Sequence, residues 1–498
     1  MKGTCMSRDI ISYQTELCPV IPIVKNHKEY NEYCRMLKRI DLILREGGID
    51  FEAAAAYLEH VENKVGRSVK SGGRKRLAKY AVKALRCNIL RHYLGGSFVV
   101  LSNRVAESPV LQRFIGVIAM DEIKVPCKSL LQKYSKFLPA EKIAGLVDKV
   151  LVLARDKHVQ IGLEAAVCTD EVFVDACCLE ANIHFPVDWV LLRDAVRTLV
   201  KSILTIRRHG LIHRIASPGS FLTRINKLCM DMSSSRRKKD SRKERKRVLR
   251  KMKKVAEVVR KHGRRYCDLL REEWEFGTDL CEDDARQIMD RMENVLGKLP
   301  SAVKQAHDRI IGGRQAENRD KMLSLYDDDV HVVTRGKESS EVEFGNVLYL
   351  AEQTDGLVID FKLYRDAAPG DTKQLDESLD RLAFREVSIK ALAGDRGFDG
   401  PTTRKRLLKD EIYNAVCPRS REELKKRQGE PDFIMLQKRR AQTEGRIAIV
   451  RNGFVGNPAS GKSFEQRERD LAWAVLTHNL WVLARLPEAQ EDELLKTG

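Results

Sequence analysis

One segment of the chain carries an acid and two bases in a spacing that could serve phosphodiester chemistry. Within residues 437–451, Arg440 and Glu444 are four residues apart and share one helical face, with Arg451 further along the same face. A carboxylate held on a helix beside a basic neighbour is half of a divalent-metal site. A second acid, Asp395, ends a short apolar segment earlier in the chain and could supply the other half.

A third acid, Asp175, interrupts the apolar residues 172–179, which have the composition of a central strand. A buried strand does not normally carry an aspartate unless the carboxylate is paired or binds a metal. Carboxylates suit Mg²⁺, because hard cations prefer oxygen ligands. Two such ions could activate an attacking oxygen and stabilise a leaving one. Asp175, Asp395 and Glu444 are therefore the candidate catalytic and metal-binding residues.

The composition predicts a large cytoplasmic protein with a polyanionic partner. The 498 residues are enough for more than one domain, and an apolar content of 43% can build real cores. No apolar run is long enough to span a membrane, and the N-terminus lacks the order of a signal peptide. The 12 cysteines form no C-x-x-C pair, so reduced thiols without structural zinc are expected. A net charge of +19 indicates binding to nucleic acid.

Most of the excess positive charge lies in residues 236–265, which contain 17 Lys and Arg against 3 Asp and Glu. Val248, Met252, Val255 and Val259 recur there at helical spacing, which predicts a basic helix with one apolar stripe. A solvated arm is the alternative. We expect the helix to lie along DNA phosphates, largely without sequence preference. The predicted DNA-binding residues are Arg236, Arg237, Lys238, Lys239, Arg245, Lys246 and Arg247.

The elements that must position these residues begin with a helical N-terminal third. Residues 30–165 show helical patterns and few strand-like alternations. Two short predicted helices, over residues 109–120 and from Pro126 onward, fit either a helix-turn-helix reader of DNA or an ordinary helical bundle. Strand character starts at Glu171 with the aspartate-bearing segment, and residues 205–320 are again helical and basic.

Strands return after Val330. Residues 347–351 and 357–364 flank Asp355-Gly356, a two-residue hairpin signal, and the second strand alternates so that one face is predicted to be buried. Asp371 is the predicted N-cap of the next helix. Alternating strands and helices follow. The order predicts an α/β fold with a mixed sheet, interrupted by a helical insertion and preceded by an all-α region.

The order of an aspartate-bearing strand, an Asp-Arg-Gly-Phe strand end and a glutamate-bearing helix resembles the DDE transposases of bacterial insertion sequences. Three blocks carry the resemblance: residues 174–183, 393–398 and 437–451. The last is the most specific, because the family has a Tyr, Arg, Glu, Lys series in it. The matching positions here are Gln437, Arg440, Glu444 and Arg451. Arg and Glu are kept, whereas Gln replaces Tyr and Arg replaces Lys.

The resemblance implies an RNase H-like catalytic core in which Asp175, Asp395 and Glu444 bind two Mg²⁺ or Mn²⁺ ions, supported by Arg440 and Arg451. It implies cleavage of DNA at the ends of an insertion sequence, followed by transfer of the freed 3′-hydroxyl to target DNA. The implied partners are terminal-repeat DNA, target DNA and further copies of the chain, in the bacterial cytoplasm at the nucleoid. A long insertion must then separate Asp175 from Asp395. Nearer alternatives for the first acid are Asp327, Asp328 and Asp329.

These patterns together predict five segments. They are a helical DNA-binding or dimerisation region (1–165), a first part of the core (166–204), a basic helical insertion (205–320), the remainder of the core (321–486) and a tail (487–498).

Two other functions fit parts of the sequence. Residues 456–463 satisfy the P-loop pattern G-x-x-x-x-G-K-[ST], which would indicate a nucleotide triphosphatase. Too little chain follows for the further strands of a P-loop fold, so a DNA-contacting loop is the favoured interpretation. A non-catalytic DNA-binding relative of the transposases is the second alternative.

Overall fold

The computed structural model describes residues 19–215, 217–235, 240–314, 317–337 and 340–489. The described chain divides into two compact units. The first contains the residues up to Glu180, Val347–Tyr364 and the chain from Ala368 onward. The second contains Ala181–Asn346 and Arg365–Ala367.

Helices form the N-terminal part of the first unit, as the apolar periodicity predicts. They are α1 (Lys28–Glu46), α2 (Ile49–Val65), α3 (Ser71–Leu94), α4 (Phe98–Glu107), α5 (Pro109–Ile115), α6 (Lys128–Tyr134) and α7 (Ala140–Asp156). Helix α5 stops at Gly116, whose φ of +70° is left-handed, so the helix predicted to reach Met120 is shorter than expected. The long connection from α5 to α6 is not the tight turn of a helix-turn-helix. Both helices pack into the core.

The second unit is built on long helices: α8 (Asp188–Arg208), α9 (Pro218–Ser234), α10 (Ser241–Gly277) and α11 (Glu282–Ile310). The predicted apolar stripe of the basic segment is buried at Val248, Met252, Val255 and Val259. It packs α10 against α8, α9 and α11. The basic segment is therefore a helix in a bundle wherever the structure describes it, not a solvated arm.

The strands are β1 (Glu171–Glu180), β2 (His331–Lys337), β3 (Ser340–Gln353), β4 (Val358–Leu363), β5 (Ala391–Ala393) and β6 (Tyr413–Asn414). In the first unit they are ordered β4-β3-β1-β5-β6. β3 and β4 are antiparallel, whereas β1, β5 and β6 run parallel to one another. The predicted mixed sheet is present. The first part of β3 belongs to the second unit, where it pairs with β2.

Further helices complete the first unit: α12 (Asp371–Phe384), α13 (Pro401–Lys409), α14 (Arg421–Arg427), α15 (Pro431–Ala448) and α16 (Phe464–Leu483). A π-helical turn, Ile449–Val455, extends α15. Helix α16 is buried over most of its length and packs against α3 and α7. The N-terminal helices and the sheet thus share one core with α16.

The buried face predicted for the second hairpin strand is present, with Ile359 and Leu363 buried, whereas one local prediction after the hairpin is wrong. The opposite face of β4 is covered too, because Asp360 is only 3% exposed and lies among arginines. Both faces of that part of the strand are covered, so its polar position needs ion-pair partners instead of water. Gly370, not Asp371, is the N-cap of α12, and Asp371 is its first helical residue. Among the described residues, no helix is both long and apolar enough to cross a membrane.

Candidate active site

The register of two parallel strands brings Asp175 and Asp395 to adjacent places. Phe173 of β1 pairs with Ala393 of β5. Each acid stands two residues further along its own strand direction, and residues two apart point to the same side of a sheet. Strand β5 ends at Ala393, and Asp395 caps the short helical turn that follows by accepting a hydrogen bond from the Gly397 N–H at 2.8 Å.

Helix α15 adds Arg440 and Glu444 to these two acids. It packs against β1 and β5. Nη2 of Arg440 lies 3.7 Å from Asp175 Oδ2, 3.9 Å from Asp395 Oδ2 and 3.9 Å from Glu444 Oε1. One guanidinium group therefore stands within 4 Å of all three predicted acids. Because the (i, i+4) spacing puts Arg440 and Glu444 on one face, the helix presents both to the strand ends together.

These contacts are ion pairs that are too long for hydrogen bonds. Asp395 and Glu444 are 42% and 58% exposed at their side chains, so solvent or a ligand reaches their oxygens. In the part of the chain that the structure describes, no three acidic, histidine or cysteine side chains converge into a ready metal-binding group. The all-oxygen set nevertheless fits Mg²⁺ or Mn²⁺ in kind. A cationic group, that of Arg440, already lies among the three carboxylates.

Asp175 is the buried member of this cluster, with 13% side-chain exposure. Burial raises its pKa to about 6, and the nearby carboxylates of Asp395 and Glu444 act in the same direction. The Arg440 guanidinium and the N–H of Ala176, which donates to Oδ1 at 2.8 Å, hold the pKa below what burial alone would give.

The outer positions of the Tyr, Arg, Glu, Lys series make contacts within the protein. The Gln437 side chain donates from Nε2 to the carbonyl of Gly394 at 3.1 Å and to that of Ala415 at 2.5 Å. Arg451 lies in the π-helical turn, and its Nη1 is 3.4 Å from the carbonyl of Cys178. Gln437 thus fixes α15 to the ends of β5 and β6, a role available to an amide that donates to two carbonyls.

A fourth acid, Asp371, lies close to Asp395 and was missed as a site residue. A Cβ atom at Gly397 would collide with Asp371 Oδ2, so the Asp371 carboxylate lies directly against the turn that Asp395 caps. The pKa of Asp371 is raised by burial and by Asp395, and lowered by Arg419. The only sequence signal was its position at a helix start, which a capping role explained equally well.

The three rival acids have partners of their own in the second unit. Asp328 pairs with Lys298 at 2.7 Å, and Asp329 with Arg365 at 3.4 Å. Asp327 accepts the Asp329 N–H through Oδ1 at 3.3 Å. None of these contacts involves Asp395 or Glu444, whereas Asp175 shares Arg440 with both.

The described part of the predicted DNA-binding residues comprises Arg245, Lys246 and Arg247 on α10. Arg236, Arg237, Lys238 and Lys239 lie outside the described residues. The Arg245 guanidinium is 5.2 Å from the ring centre of Trp189. Both residues line a cavity of about 520 Å³, together with Arg242, Arg309, Arg314 and Phe185. Arg309 is paired with the buried Asp188 at 3.0 Å.

The segment that matches the P-loop pattern lacks the structural setting of a P-loop. It follows the π-helical turn Ile449–Val455, not a β-strand. Its last residue, Ser463, caps α16 by accepting a hydrogen bond from the Gln466 N–H. Within the segment, the Ala459 N–H donates to the carbonyl of Glu180 at 2.8 Å, which ties it to the end of β1.

Comparison with known families gives one match. Residues 346–480 match the family model described as Transposase DDE domain. This range contains Asp395, Arg440 and Glu444, whereas Asp175 precedes it. The predicted resemblance to DDE-type transposases is confirmed. No curated protein and no solved structure matches the chain.

Proposed function

The chain carries a transposase DDE domain in residues 346–480, and we propose that it cleaves DNA at the ends of an insertion sequence and transfers the freed 3′-hydroxyl to target DNA. The observation that carries this proposal is the convergence of Asp175, Asp395 and Glu444 around one guanidinium group. In-line displacement at phosphorus requires mainly positioning and charge neutralisation, which three carboxylates on rigid elements can provide.

The strand order supports an RNase H-like catalytic core as part of this proposal. Three strands in the order β4-β3-β1 continue into the parallel pair β5-β6, with the candidate acids at β1, after β5 and on α15. In this interpretation residues 205–320, which contain α9, α10 and α11, form the insertion between the first and second strands of the core. The predicted five-segment division remains a proposal.

Asp175, Asp395 and Glu444 would hold two Mg²⁺ or Mn²⁺ ions. When bound, such ions polarise the phosphodiester and favour ionisation of the attacking oxygen. The protein supplies the orientation: β1 fixes Asp175 in a buried position, the turn after β5 aims Asp395, and α15 aims Glu444. Arg440 offsets part of the negative charge of the three carboxylates and keeps Asp175 more readily ionised than burial alone would allow.

DNA is the proposed macromolecular partner, and α10 supports this assignment. Its apolar stripe is buried in the second unit, while Arg242, Lys243, Arg247 and Arg250 stay exposed. Each phosphate contact from such residues should make binding more sensitive to salt. Replacing Arg242 and Arg247 by alanine should lower the slope of log K against log salt by roughly two in a DNA titration. An unchanged slope would exclude this face from DNA binding.

The cleavage test uses the full-length protein, element-end DNA, and Mg²⁺ or Mn²⁺. The wild-type protein should nick the DNA at the element end, and Glu444→Gln should reduce nicking by about 10³-fold, which corresponds to ~4 kcal/mol of transition-state stabilisation. Glu422→Gln, an exposed glutamate on α14, is the matched control and should cleave like the wild type.

The outcomes separate the candidate functions. If Glu444→Gln cleaves as well as its parent, the assignment of the active site is wrong. If no variant and no wild-type protein nicks DNA that it binds, the chain is a non-catalytic DNA-binding relative. Homo-oligomerisation, which would bring two element ends together, is a further part of the proposal and is tested by sizing the complex with DNA.

A further inference from the structure

A buried carboxylate near the end of β3 holds a face of α15 that adjoins the face carrying Arg440 and Glu444. Glu352 is 2% exposed. Its Oε1 accepts a hydrogen bond from Thr443 Oγ1 at 2.8 Å and pairs with Arg439 Nη1 at 3.0 Å. Its Oε2 pairs with Arg446 Nε at 3.4 Å. One acid therefore binds three side chains of a single helix.

The spacing of these partners determines what the contact does. Arg439, Thr443 and Arg446 stand at i, i+4 and i+7, which is one stripe along α15. Arg440 and Glu444 each follow a member of this stripe by one residue, a rotation of about 100° around the helix axis. Fixing the stripe on Glu352 therefore fixes the direction in which Arg440 and Glu444 project.

We call Glu352 and its three partners on α15 the Glu352 anchor. Its member Arg439 also contacts the strand that carries Asp175. Its guanidinium lies 4.6 Å from the ring centre of Phe173, two residues before Asp175 on β1. Its Nη2 also donates to the carbonyl of Thr354 at 2.9 Å, in the turn between β3 and β4. Helix, first strand and hairpin turn are thus joined through one side chain.

Arg446, another partner of Glu352, lies against the hairpin turn between β3 and β4. A Cβ atom at Gly356 would collide with the Arg446 guanidinium, and the φ of +91° at Gly356 also favours glycine. The DG hairpin signal in the sequence therefore serves two purposes. It turns the chain, and it leaves room for the arginine that pairs with Glu352.

We propose that Glu352 is a positioning residue for the active site: it sets the rotation of α15 and so places Glu444 and Arg440 opposite Asp175 and Asp395. This inference rests on the proposed function of those acids. Glu352 itself touches none of them and would not bind metal. Groups that orient metal ligands change metal affinity about 10–100-fold when they are removed, although they never contact the ion.

The molecule contains a matched control for a purely structural role. Asp360 on β4 binds α12 in the same way, accepting from Ser378 Oγ at 2.6 Å and pairing with Arg381 at 2.7 Å and Arg385 at 2.8 Å. This second anchor also joins a buried strand acid to a hydroxyl and an arginine of one helix and to a further arginine, Arg385, at the helix C-cap. Helix α12 carries none of the three proposed metal ligands.

The test compares Thr443→Val with Ser378→Ala, each of which removes one buried hydroxyl from its anchor. Mn²⁺ binding to the full-length protein without DNA is measured by electron paramagnetic resonance, and thermal unfolding is measured in EDTA. Thr443→Val should weaken Mn²⁺ binding by about tenfold or more. Ser378→Ala should leave it within about twofold of the wild type, even where it lowers the unfolding temperature as much.

Two further variants complete the design. Glu352→Gln should weaken Mn²⁺ binding more than Thr443→Val, because it also removes the charge that holds both arginines. Turnover of element-end DNA by Thr443→Val should fall in kcat with little change in KM, since no DNA-contacting side chain is altered. Equal loss of Mn²⁺ affinity in Thr443→Val and Ser378→Ala, in proportion to stability, would overturn the positioning role.

A Glu444→Gln control separates this result from the proposed function. If Glu444→Gln loses Mn²⁺ binding while Thr443→Val and Glu352→Gln keep it, the positioning role alone is wrong. If Glu444→Gln binds Mn²⁺ as the wild type does, the active-site assignment is wrong and the inference about Glu352 fails with it.

Discussion

The acids of the candidate active site and the acids that anchor helices differ in how fully their oxygens are bonded. Asp395 and Glu444 are about half exposed, and their nearest cationic partner, Arg440, stays 3.9 Å away. Glu352 and Asp360 are buried, and their closest donors lie at 2.6–3.0 Å. Glu352 Oε2 has an ion pair with Arg446 at 3.4 Å and no hydrogen bond among the described residues. A buried acid held by close donors on a neighbouring helix serves the fold, and we call such residues anchoring acids. An acid whose oxygens are exposed and only distantly paired with a cation is available to bind a ligand, and we call Asp395 and Glu444 open acids in this sense.

The same comparison explains the mixed character of Asp175. At 13% side-chain exposure it is more buried than Asp395 and Glu444, yet among the described residues it receives only its neighbour's N–H and a guanidinium at 3.7 Å. Its raised pKa reports this incomplete compensation. A strand acid that is buried without enough donors is costly for stability. A bound cation would supply the compensation that these donors do not.

The largest expected effect tests whether Asp175 belongs with the open acids. Asp175→Asn should lower DNA nicking by about 10³-fold, as a lost ligand in the reaction centre removes ~4 kcal/mol of stabilisation. Asp329→Asn should leave nicking within about twofold, because Asp329 pairs with Arg365 in the second unit. The measurement is a single-turnover nicking assay with both variants. The reverse result would make Asp329 the first acid and break the comparison.

The next effect tests the buried anchoring acids. Asp360→Asn should lower the free energy of unfolding by about 3–5 kcal/mol, since it leaves two arginines facing a neutral group in a buried setting. Asp395→Asn should change it by less than about 1 kcal/mol, because an exposed ion pair contributes little. Urea unfolding of the metal-free proteins measures both. Similar losses in the two variants would mean that exposure does not separate the classes.

The sequence identifies the acids of the candidate active site more readily than the buried anchoring acids. Asp395 and Glu444 stand in local motifs whose spacing is visible along the chain, and Asp175 stands out as a charge in an apolar strand. Asp360 satisfies the same rule for strand acids, but the alternation in its strand predicts only one buried face, and Glu352 directly follows the predicted strand 347–351. The partners of Glu352 lie on α15, about 90 residues later in the chain, and those of Asp360 lie on or next to α12, about 20 residues later. Such pairings depend on the tertiary fold.

The fold was predictable in its elements and less so in their arrangement. Periodicity and the Asp355-Gly356 turn correctly predicted the helices, the hairpin and a mixed sheet. The packing of the N-terminal helices with α16 in one core could not be inferred, because burial on all sides gives α16 no amphipathic pattern to match to a neighbour. Gly116 shows how a single left-handed residue ends a helix earlier than periodicity suggests.

A smaller effect concerns pH. Because burial raises the pKa of Asp175 to about 6, the folded chain holds a proton on this group that the unfolded chain releases near the ordinary aspartate pKa of 3.8. The contribution of Asp175 to stability therefore falls as pH rises from about 4 to 6, and levels off above that, by up to ~3 kcal/mol in total. Asp175→Asn should remove this component.

The measurement is urea unfolding in EDTA at pH 4.5 and pH 7. Asp148 and Asp371, whose pKa values are also raised, contribute to both proteins, so the difference between the wild type and Asp175→Asn isolates Asp175. A pH dependence that is identical in the two proteins would show that Asp175 is fully compensated in the folded state, like an anchoring acid.

The smallest effect compares two consecutive arginines on α15. Arg439 pairs with Glu352, donates to the Thr354 carbonyl and covers the Phe173 ring. Among the residues that the structure describes, Arg440 makes only ion pairs of 3.7–3.9 Å, and its buried Nε has no hydrogen-bond partner. Arg440→Met should therefore change the free energy of unfolding by no more than about 1 kcal/mol, whereas Arg439→Met should cost about 2 kcal/mol more.

Thermal and urea unfolding of the two methionine variants in EDTA give this difference directly, since both changes keep an unbranched apolar stem at neighbouring positions of one helix. If Arg440→Met destabilised the protein as much as Arg439→Met, the cation of the active site would itself be part of the framework. Arg440 would then hold the open acids in place as Arg439 holds Glu352. Exposure would no longer distinguish the acids that stabilise the fold from the acids that are available to a ligand.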